Sequence, residues 1–331
     1  MADVRFLHSE EVAALADPAE YVDVVREGYR QRGEGAQAEP RTRLNNADPP
    51  GFLTGYFAVL PETGAMGGYN YAAGFGQQDA QFVLPLFEYP SGELLSIIDG
   101  ASMNPWKTGA AGAIGIDELA REDAAELGII GSGTQARGQL HGAAAVRDLD
   151  HVSVFSPTES NREAFAADMD DELDVTVEPV DSTEAAVSDM DIVITATTSP
   201  EPVFDGEVLS AGTHVTAMGS YHPTNHEVDP TTVARAKYVP DLRGRIDQDA
   251  GAYRTALSEG AIEEGHIHAE LGEVVADKAP GRESDDEITL FDSGGTAVET
   301  VAAAKLLYDR AVENGVGEEI EMSSASEAFP G

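Results

Sequence analysis

At 331 residues, 42% of them hydrophobic, the chain is too apolar to be disordered and suits two domains better than one. Sixty acidic against twenty basic residues, scattered without forming a tail, give a formal net charge of −40 and exclude the basic patches that nucleic acid or an anionic membrane requires. With no cysteine and no apolar stretch near the roughly eighteen residues of a membrane span, disulfides, thiolate chemistry and a transmembrane segment drop out, and a soluble cytoplasmic protein is expected.

Val4 to Leu7 reads as a short strand, with Ser9 placed to cap the helix after it. Asp17-Pro18, a cap followed by proline at the first helical position, opens an amphipathic helix carrying Tyr21, Val24, Val25 and Tyr29 that fades at Gly33 and Gly35. Glu39-Pro40-Arg41-Thr42-Arg43 is strand-like and basic in an acidic chain. Phe52 to Leu60 alternates as a strand, and Ala65 to Tyr71 is glycine-rich with two tyrosines, Tyr69 and Tyr71. Val83 to Tyr89 and Leu94 to Ile98 flank Pro90-Ser91-Gly92-Glu93, a hairpin signal. This part of the chain predicts an antiparallel sheet with helices at one end. Asp99 to Ile116 then leads through Trp106, Lys107 and Thr108 into an alanine-rich helix.

Beyond that helix the texture changes. Short apolar runs at Leu127 to Ile130, Val152 to Phe155, Val175 to Val177, Ile192 to Ala196, Thr213 to Met218 and Tyr238 to Val239 are separated by helical or loop segments. Such alternation predicts an α/β fold with a doubly wound parallel sheet. The first run passes straight into Gly131-Ser132-Gly133-Thr134-Gln135-Ala136, and a helix can start at Thr134 or Gln135. Gly131 allows a tight turn, Gly133 lets a pyrophosphate approach the main chain, and Ala136 lets helix and strand pack closely. The helix N-terminus then offers unsatisfied N–H groups to the phosphates, so a dinucleotide is the predicted cofactor. An NAD site usually carries Asp or Glu at the end of the second strand. Here that strand runs into Ser156-Pro157-Thr158, with no acid before Glu159 and with Arg162 one turn on, which favours NADP while leaving NAD possible. The buried run from Asp191 ends in Thr197 and Thr198, where a cofactor edge would lie. Ile288 to Thr296, containing Ser293-Gly294, leads into a final helix from Ala297 to Asn314 and a polar tail. His222 and His226, and His266 and His268, have metal-like spacings, but Pro223 disfavours a helical pair and no third ligand is marked, so no metal is expected.

These segments, in order from Ser9 to Gly317, resemble the ornithine cyclodeaminase/mu-crystallin family. The resemblance rests on Pro40-Arg41-Thr42-Arg43, Asp99-Gly100-Ala101, Lys107-Thr108-Gly109-Ala110-Ala111, Gly131 to Ala136, Thr195 to Thr198, Pro202-Val203-Phe204, Gly212 to Val215, Ile288 to Phe291 and Ser293-Gly294. It implies a homodimer in which residues 118–296 form a Rossmann domain inserted into a smaller α+β substrate-binding and dimerisation domain, 1–117 with 297–331. Activities in the family are NAD(P)-dependent: amino-acid dehydrogenation, ketimine reduction and ornithine cyclodeamination. The mu-crystallin branch also includes hormone-binding and lens proteins. The acidic composition, in turn, resembles that of proteins from extreme halophiles, in which strong salt screens self-repulsion.

The family's usual lysine in the glycine-rich segment falls here at Tyr69 or Asn70, its arginine before Thr-Gly-Ala is Lys107, and the aspartate of ornithine cyclodeaminases corresponds to about Tyr221. By this resemblance Arg41 (or Arg43) and Lys107 hold a substrate carboxylate, with Tyr71, Thr108 and Tyr221 beside them, and Met218, Gly219, Ser293 and Gly294 line the cofactor. Ordinary surface ion pairs are the plainer reading of the cations. Tyr69, and with it Tyr71, carries a phenol that can donate a proton, with a neighbouring cation lowering its pKa, or is simply a packing tyrosine; Tyr69 sits where the family's lysine is expected. The expected function is an NAD(P)-dependent oxidoreductase, a ketimine reductase or amino-acid dehydrogenase, acting on a small 2-imino, 2-oxo or 2-amino carboxylate. The alternatives are an ammonia lyase of the ornithine cyclodeaminase kind, weakened by Tyr221, and a dinucleotide-binding protein that has lost catalysis.

Overall fold

The computed structural model describes residues 2–76, 79–219 and 222–325. The chain divides into two compact units, one formed by the chain up to Lys107 and from Thr296 onward, the other by Thr108–Gly295.

In the first unit, β1 (Ala2–Leu7) is followed by α1 (Ser9–Val12). The cap of α1 is His8, not Ser9: Glu11 accepts the His8 N–H at 2.9 Å, while the Ser9 hydroxyl bonds the Ser102 hydroxyl at 2.5 Å. At α2 (Pro18–Gly33), Asp17 accepts the Glu20 N–H at 3.1 Å, and Pro18 sits where no N–H is needed. Its buried face carries Tyr21, Val25 and Tyr29. Four strands follow, β2 (Gln37–Ala38), β3 (Thr42–Ala47), β4 (Pro50–Gly55) and β5 (Ala58–Leu60). The single strand expected from Phe52 to Leu60 is thus two, because its halves take different neighbours. β4 pairs with β3 and with β7 (Asn70–Gly74), whereas β5 pairs with β2 and with β6 (Ala65–Gly67). β8 (Val83–Glu88) and β9 (Leu94–Asp99) form the expected hairpin, with buried Leu84 opposite buried Ile98. β1 joins β9 in parallel, so the sheet is not wholly antiparallel. The alanine-rich helix is α3 (Met103–Leu119), and the divide between the units falls within it.

The second unit winds β10 (Glu126–Ile130), α4 (Thr134–Val146), β11 (His151–Phe155), α5 (Glu159–Glu172), β12 (Thr176–Pro179), α6 (Thr183–Val187), β13 (Ile192–Thr195), β14 (His214–Ala217), α7 (Pro230–Arg235), β15 (Ala236–Pro240), α8 (Gly251–Ser258), α9 (Leu271–Val275) and β16 (Ile288–Asp292). The strand order is β12-β11-β10-β13-β14-β16-β15, and every pairing is parallel. Both faces are covered: Leu127, Ile129, Val152, Val154, Ile192 and Ile194 pack on one side, Val193, Val215 and Leu290 on the other. That two-sided burial is why these strands read as apolar runs without alternation. Among the buried polar residues of these strands is His214, its ring held between the hydroxyls of Thr289 (2.9 Å) and Thr216 (3.0 Å). Burial pushes its pKa down to about 3, so the imidazole is neutral. The strand order reverses between β10 and β13, and in open parallel sheets ligands bind beyond the strand ends at such a switch point.

Returning to the first unit, α10 (Ala297–Asn314) packs on α2, and the expected polar tail contains β17 (Glu318–Met322), antiparallel to β1 with Ile320 opposite Val4. Among the described residues no helix is long and apolar enough to cross a membrane.

Candidate active site

Between β10 and α4 the main chain makes a turn that fits a pyrophosphate. Gly131 has φ +124°, and a Cβ there would lie 2.3 Å from the Ala196 carbonyl oxygen, so no side chain is accommodated. Gly133 is the N-cap of α4 and places no side chain on the first-turn amides. A Cβ on Gly133 would meet nothing within 4 Å, so the space before the helix terminus is open. Ala136 is fully buried, which brings the helix close to the sheet. Unsatisfied N–H groups at the positive end of a helix of this length suit phosphate oxygens.

At the end of β11, the Ser156 hydroxyl accepts the Ser132 hydroxyl at 2.9 Å, and Arg162 donates to the Ser156 carbonyl at 3.3 Å while pairing with the exposed Asp181 at 2.8 Å. Thr158, on the surface, occupies the N-cap position of α5 without a capping side-chain hydrogen bond. Thr108, expected at the substrate, instead donates its hydroxyl to the Gln135 side chain at 2.5 Å, and its carbonyl accepts from Gln139 at 2.7 Å. It is buried and braces the first turn of α4.

Two carboxylates that the sequence did not single out hold the strand ends on the other side of the switch point. Glu227 accepts the N–H groups of Thr197 and Gly219, both at 2.6 Å, and the Thr195 hydroxyl at 3.1 Å. Asp241 accepts from the Ser293 hydroxyl (3.0 Å) and from the N–H groups of Gly294 (2.8 Å) and Gly295 (3.0 Å). The donors of Thr197, Gly219, Ser293 and Gly294 are therefore turned to buried carboxylates, and these segments offer a ligand their shape and carbonyls. Met218 is buried beside them, its N–H on the Thr195 carbonyl at 2.9 Å, and Thr198 is exposed. Both carboxylates stand in polar loops where no periodicity marks them.

The first unit gathers the candidate substrate residues. Arg41 donates to the Tyr71 hydroxyl at 3.3 Å and lies over the Tyr56 ring at 5.3 Å. Arg43 instead stacks on Phe52 and bonds Asn45, leaving Arg41 as the member of the pair that belongs to the cluster. Lys107 is 1% exposed, its ammonium 2.6 Å from Glu299, itself fully buried, and 5.6 Å from the Tyr69 ring centroid. The same Glu299 accepts the Tyr29 hydroxyl (3.3 Å) and the Thr296 N–H (3.2 Å). Its signal in the sequence is the capping box Thr296-x-x-Glu299 at the start of α10. Phe82 closes the aromatic group, 5.1 Å from Tyr69 and 4.7 Å from Tyr71 between ring centroids.

Tyr69 departs from its expected role. Its hydroxyl donates to the Gly100 carbonyl at 2.8 Å and the ring is fully buried. Burial holds its pKa well above the ordinary phenol value, and the nearby Glu299 and Asp99 raise it further, opposite to the lowering expected from a neighbouring cation. Tyr221 lies outside the described residues. The four histidines bond to their own surroundings: His222 to the Thr224 hydroxyl, His226 to the Thr224 carbonyl, His266 to the Val233 carbonyl and His268 to the Pro280 carbonyl. Among the described residues no group of three or more His, Asp or Glu side chains is arranged to hold a metal ion.

Comparison with known proteins extends along the chain. The family model described as the ornithine cyclodeaminase/mu-crystallin family matches residues 3–315. A Delta(1)-pyrroline-2-carboxylate reductase of Bacillus cereus is 36% identical over 247 residues, 74% of this chain and 76% of that one. The structure of the Thermococcus litoralis Delta(1)-pyrroline-2-carboxylate reductase in complex with NADH and L-proline is similar with a TM-score of 0.91 at 32% identity, covering 96% of this chain and 100% of that one. An archaeal alanine dehydrogenase dimer with bound NAD is similar with a TM-score of 0.91 at 31% identity, covering 97% and 100%. The chain belongs to the ornithine cyclodeaminase/mu-crystallin family.

Proposed function

We propose that this protein is an NAD(P)-dependent reductase of small 2-imino or 2-oxo carboxylates, running in the reverse direction as an amino-acid dehydrogenase. The observation that carries the reading is the turn from Gly131 to Ala136, an uncapped helix terminus behind open space at a sheet switch point. The relatives above, which act on a cyclic imino acid and on alanine, support the substrate class. The dinucleotide, when bound, supplies or accepts the hydride. The chain's own residues must then bind the carboxylate, exclude water and handle a proton. Arg41, braced by Tyr71 and Tyr56, takes the carboxylate through its planar fork. Lys107, whose ammonium is desolvated and fixed by Glu299, is the second cation and the proton-bearing group of the cluster. Tyr69 and Phe82 form the apolar wall that keeps water from these cations.

NADP is placed ahead of NAD. The end of β11 carries hydroxyls at Ser156 and Thr158 with no carboxylate, and Arg162 is anchored there with a partner, Asp181, that is almost wholly exposed and exchangeable. A homodimer is supported by the dimeric archaeal relative and by the exposed apolar side chains Leu44, Leu53 and Val83 in the first unit's sheet and Phe57 beside it.

The test is NAD(P)H oxidation with Delta(1)-pyrroline-2-carboxylate, and with pyruvate plus ammonia, in molar salt because a chain of net charge −40 needs screening. Turnover of either, faster with NADPH, is expected. Ammonia release from L-ornithine without net dinucleotide turnover would replace this reading by cyclodeamination, and binding of NADPH with no turnover of any substrate would leave a non-catalytic binder.

A further inference from the structure

Glu227 differs from the buried acids Glu299 and Asp241. It is 1% exposed, yet among the described residues it has no ion-pair partner, whereas Glu299 faces Lys107 and Asp241 faces Arg245. A buried carboxylate without a cation is costly unless donors converge on it. Here they do. Oε1 takes the Thr197 N–H and Oε2 takes the Gly219 N–H and the Thr195 hydroxyl. Its own backbone is pinned as well, the Glu227 carbonyl accepting the Val203 N–H at 2.9 Å. Burial raises its pKa while those same donors pull it back.

The donors lie where β13 and β14 end, on adjacent parallel strands. Taking the dinucleotide reading as given, the two halves of the ligand divide at the switch point. The adenosine half belongs with β10 and β11, at Gly133 and Ser156, and the nicotinamide half with β13 and β14. We infer that Glu227 is a positioning residue for the nicotinamide half, acting through the main chain of Thr197 and Gly219, which one carboxylate clips into a fixed edge. This role predicts a split that a general contribution to folding does not. Loss of the clip loosens the nicotinamide edge and leaves the turn at Gly131 and the end of β11 as they are.

The experiment compares the binding of NADPH with that of 2′-phospho-ADP-ribose, the same molecule without its nicotinamide, by calorimetry in molar salt. Glu227→Gln replaces an acceptor by an amide that confronts one of the N–H groups. NADPH binding is expected to weaken about tenfold or more, the scale of a lost charge-assisted hydrogen bond, with the fragment's affinity within about twofold of wild type. Thr195→Val removes only one donor and keeps the side-chain shape, and should weaken NADPH about threefold with the fragment again unaffected. Should Glu227→Gln fail to fold by circular dichroism, Thr195→Val decides by the same split. Unchanged NADPH affinity, or equal losses for NADPH and fragment, overturns the inference. Failure of the wild-type protein to bind either probe, or NADH and ADP-ribose in their place, refutes the dinucleotide reading instead.

Discussion

In the proposed reading, the second unit offers a ligand main chain from Gly131 to Ala136, whereas around Lys107 the first unit offers side chains held by other side chains. At the turn, the proposed recognition depends on where a Cβ is absent: one would strike the Ala196 carbonyl at Gly131 and would occupy empty space at Gly133. In the Lys107 cluster it depends on pairing across the chain, with a lysine and its glutamate 192 residues apart. A main-chain site is written in a few consecutive residues and tolerates change elsewhere. A side-chain site is distributed, and each member depends on a partner that local sequence does not reveal.

The largest effect is expected where that dependence is deepest. Lys107→Ala leaves Glu299 buried without its cation, which costs about 3–5 kcal/mol of folding stability by denaturant unfolding in molar salt. Pairing Lys107→Met with Glu299→Gln removes both charges and recovers most of that stability, but not turnover. A single variant as stable as wild type would show that the pair does not hold the cluster together. A double variant with wild-type kinetics would take Lys107 out of the site.

The two glycines of the turn should separate in the opposite manner. Gly131→Ala forces a side chain into a left-handed conformation and onto a carbonyl, costing about 1–3 kcal/mol of stability together with dinucleotide affinity. Gly133→Ala meets no protein atom, so stability should stay within about 0.5 kcal/mol, while NADPH binding falls about tenfold as the methyl group occupies the approach of the phosphates. Thermal unfolding and calorimetry on the pair read both quantities. If Gly133→Ala bound NADPH like wild type, the open space before α4 would not be a phosphate site.

Legibility in the sequence follows the same divide. The strand, turn and helix around Gly131 could be read because each depends on its own residues, and so could the Asp17-Pro18 start of α2 and the final helix from Ala297 to Asn314. The segment Glu318–Met322 could not, since its glutamates leave only Ile320 to face inward and its strand exists because β1 offers an edge. The run from Phe52 to Leu60 alternates like one strand, and only its tertiary neighbours split it. The hydrogen-bond partners of Tyr69 and Thr108 are illegible for a related reason: Gly100 and Gln135, which capture their hydroxyls, are distant in sequence. Glu299 could have been found from its capping box, but Glu227, beside His226 in a polar loop, has no local pattern at all.

The smallest expected effect tests whether the main-chain half also reads side chains. A pyrophosphate is common to NADP and NAD, so in the proposed reading any preference arises at the end of β11, where Ser156 is buried and Arg162 is anchored to its carbonyl. Ser156→Asp supplies the carboxylate that NAD sites usually carry for the ribose hydroxyls and that repels a 2′-phosphate. The ratio of kcat/KM for NADPH over NADH should fall about tenfold, equivalent to about 1.4 kcal/mol, with the KM of the imine unchanged. Arg162→Gln should shift the ratio less, about threefold, because the guanidinium is already shared with Asp181 and a main-chain carbonyl and contributes only part of its charge to a ligand. An unaltered ratio in Ser156→Asp would mean that the 2′-position is not read at β11, leaving the second unit's contribution to cofactor recognition confined to main chain.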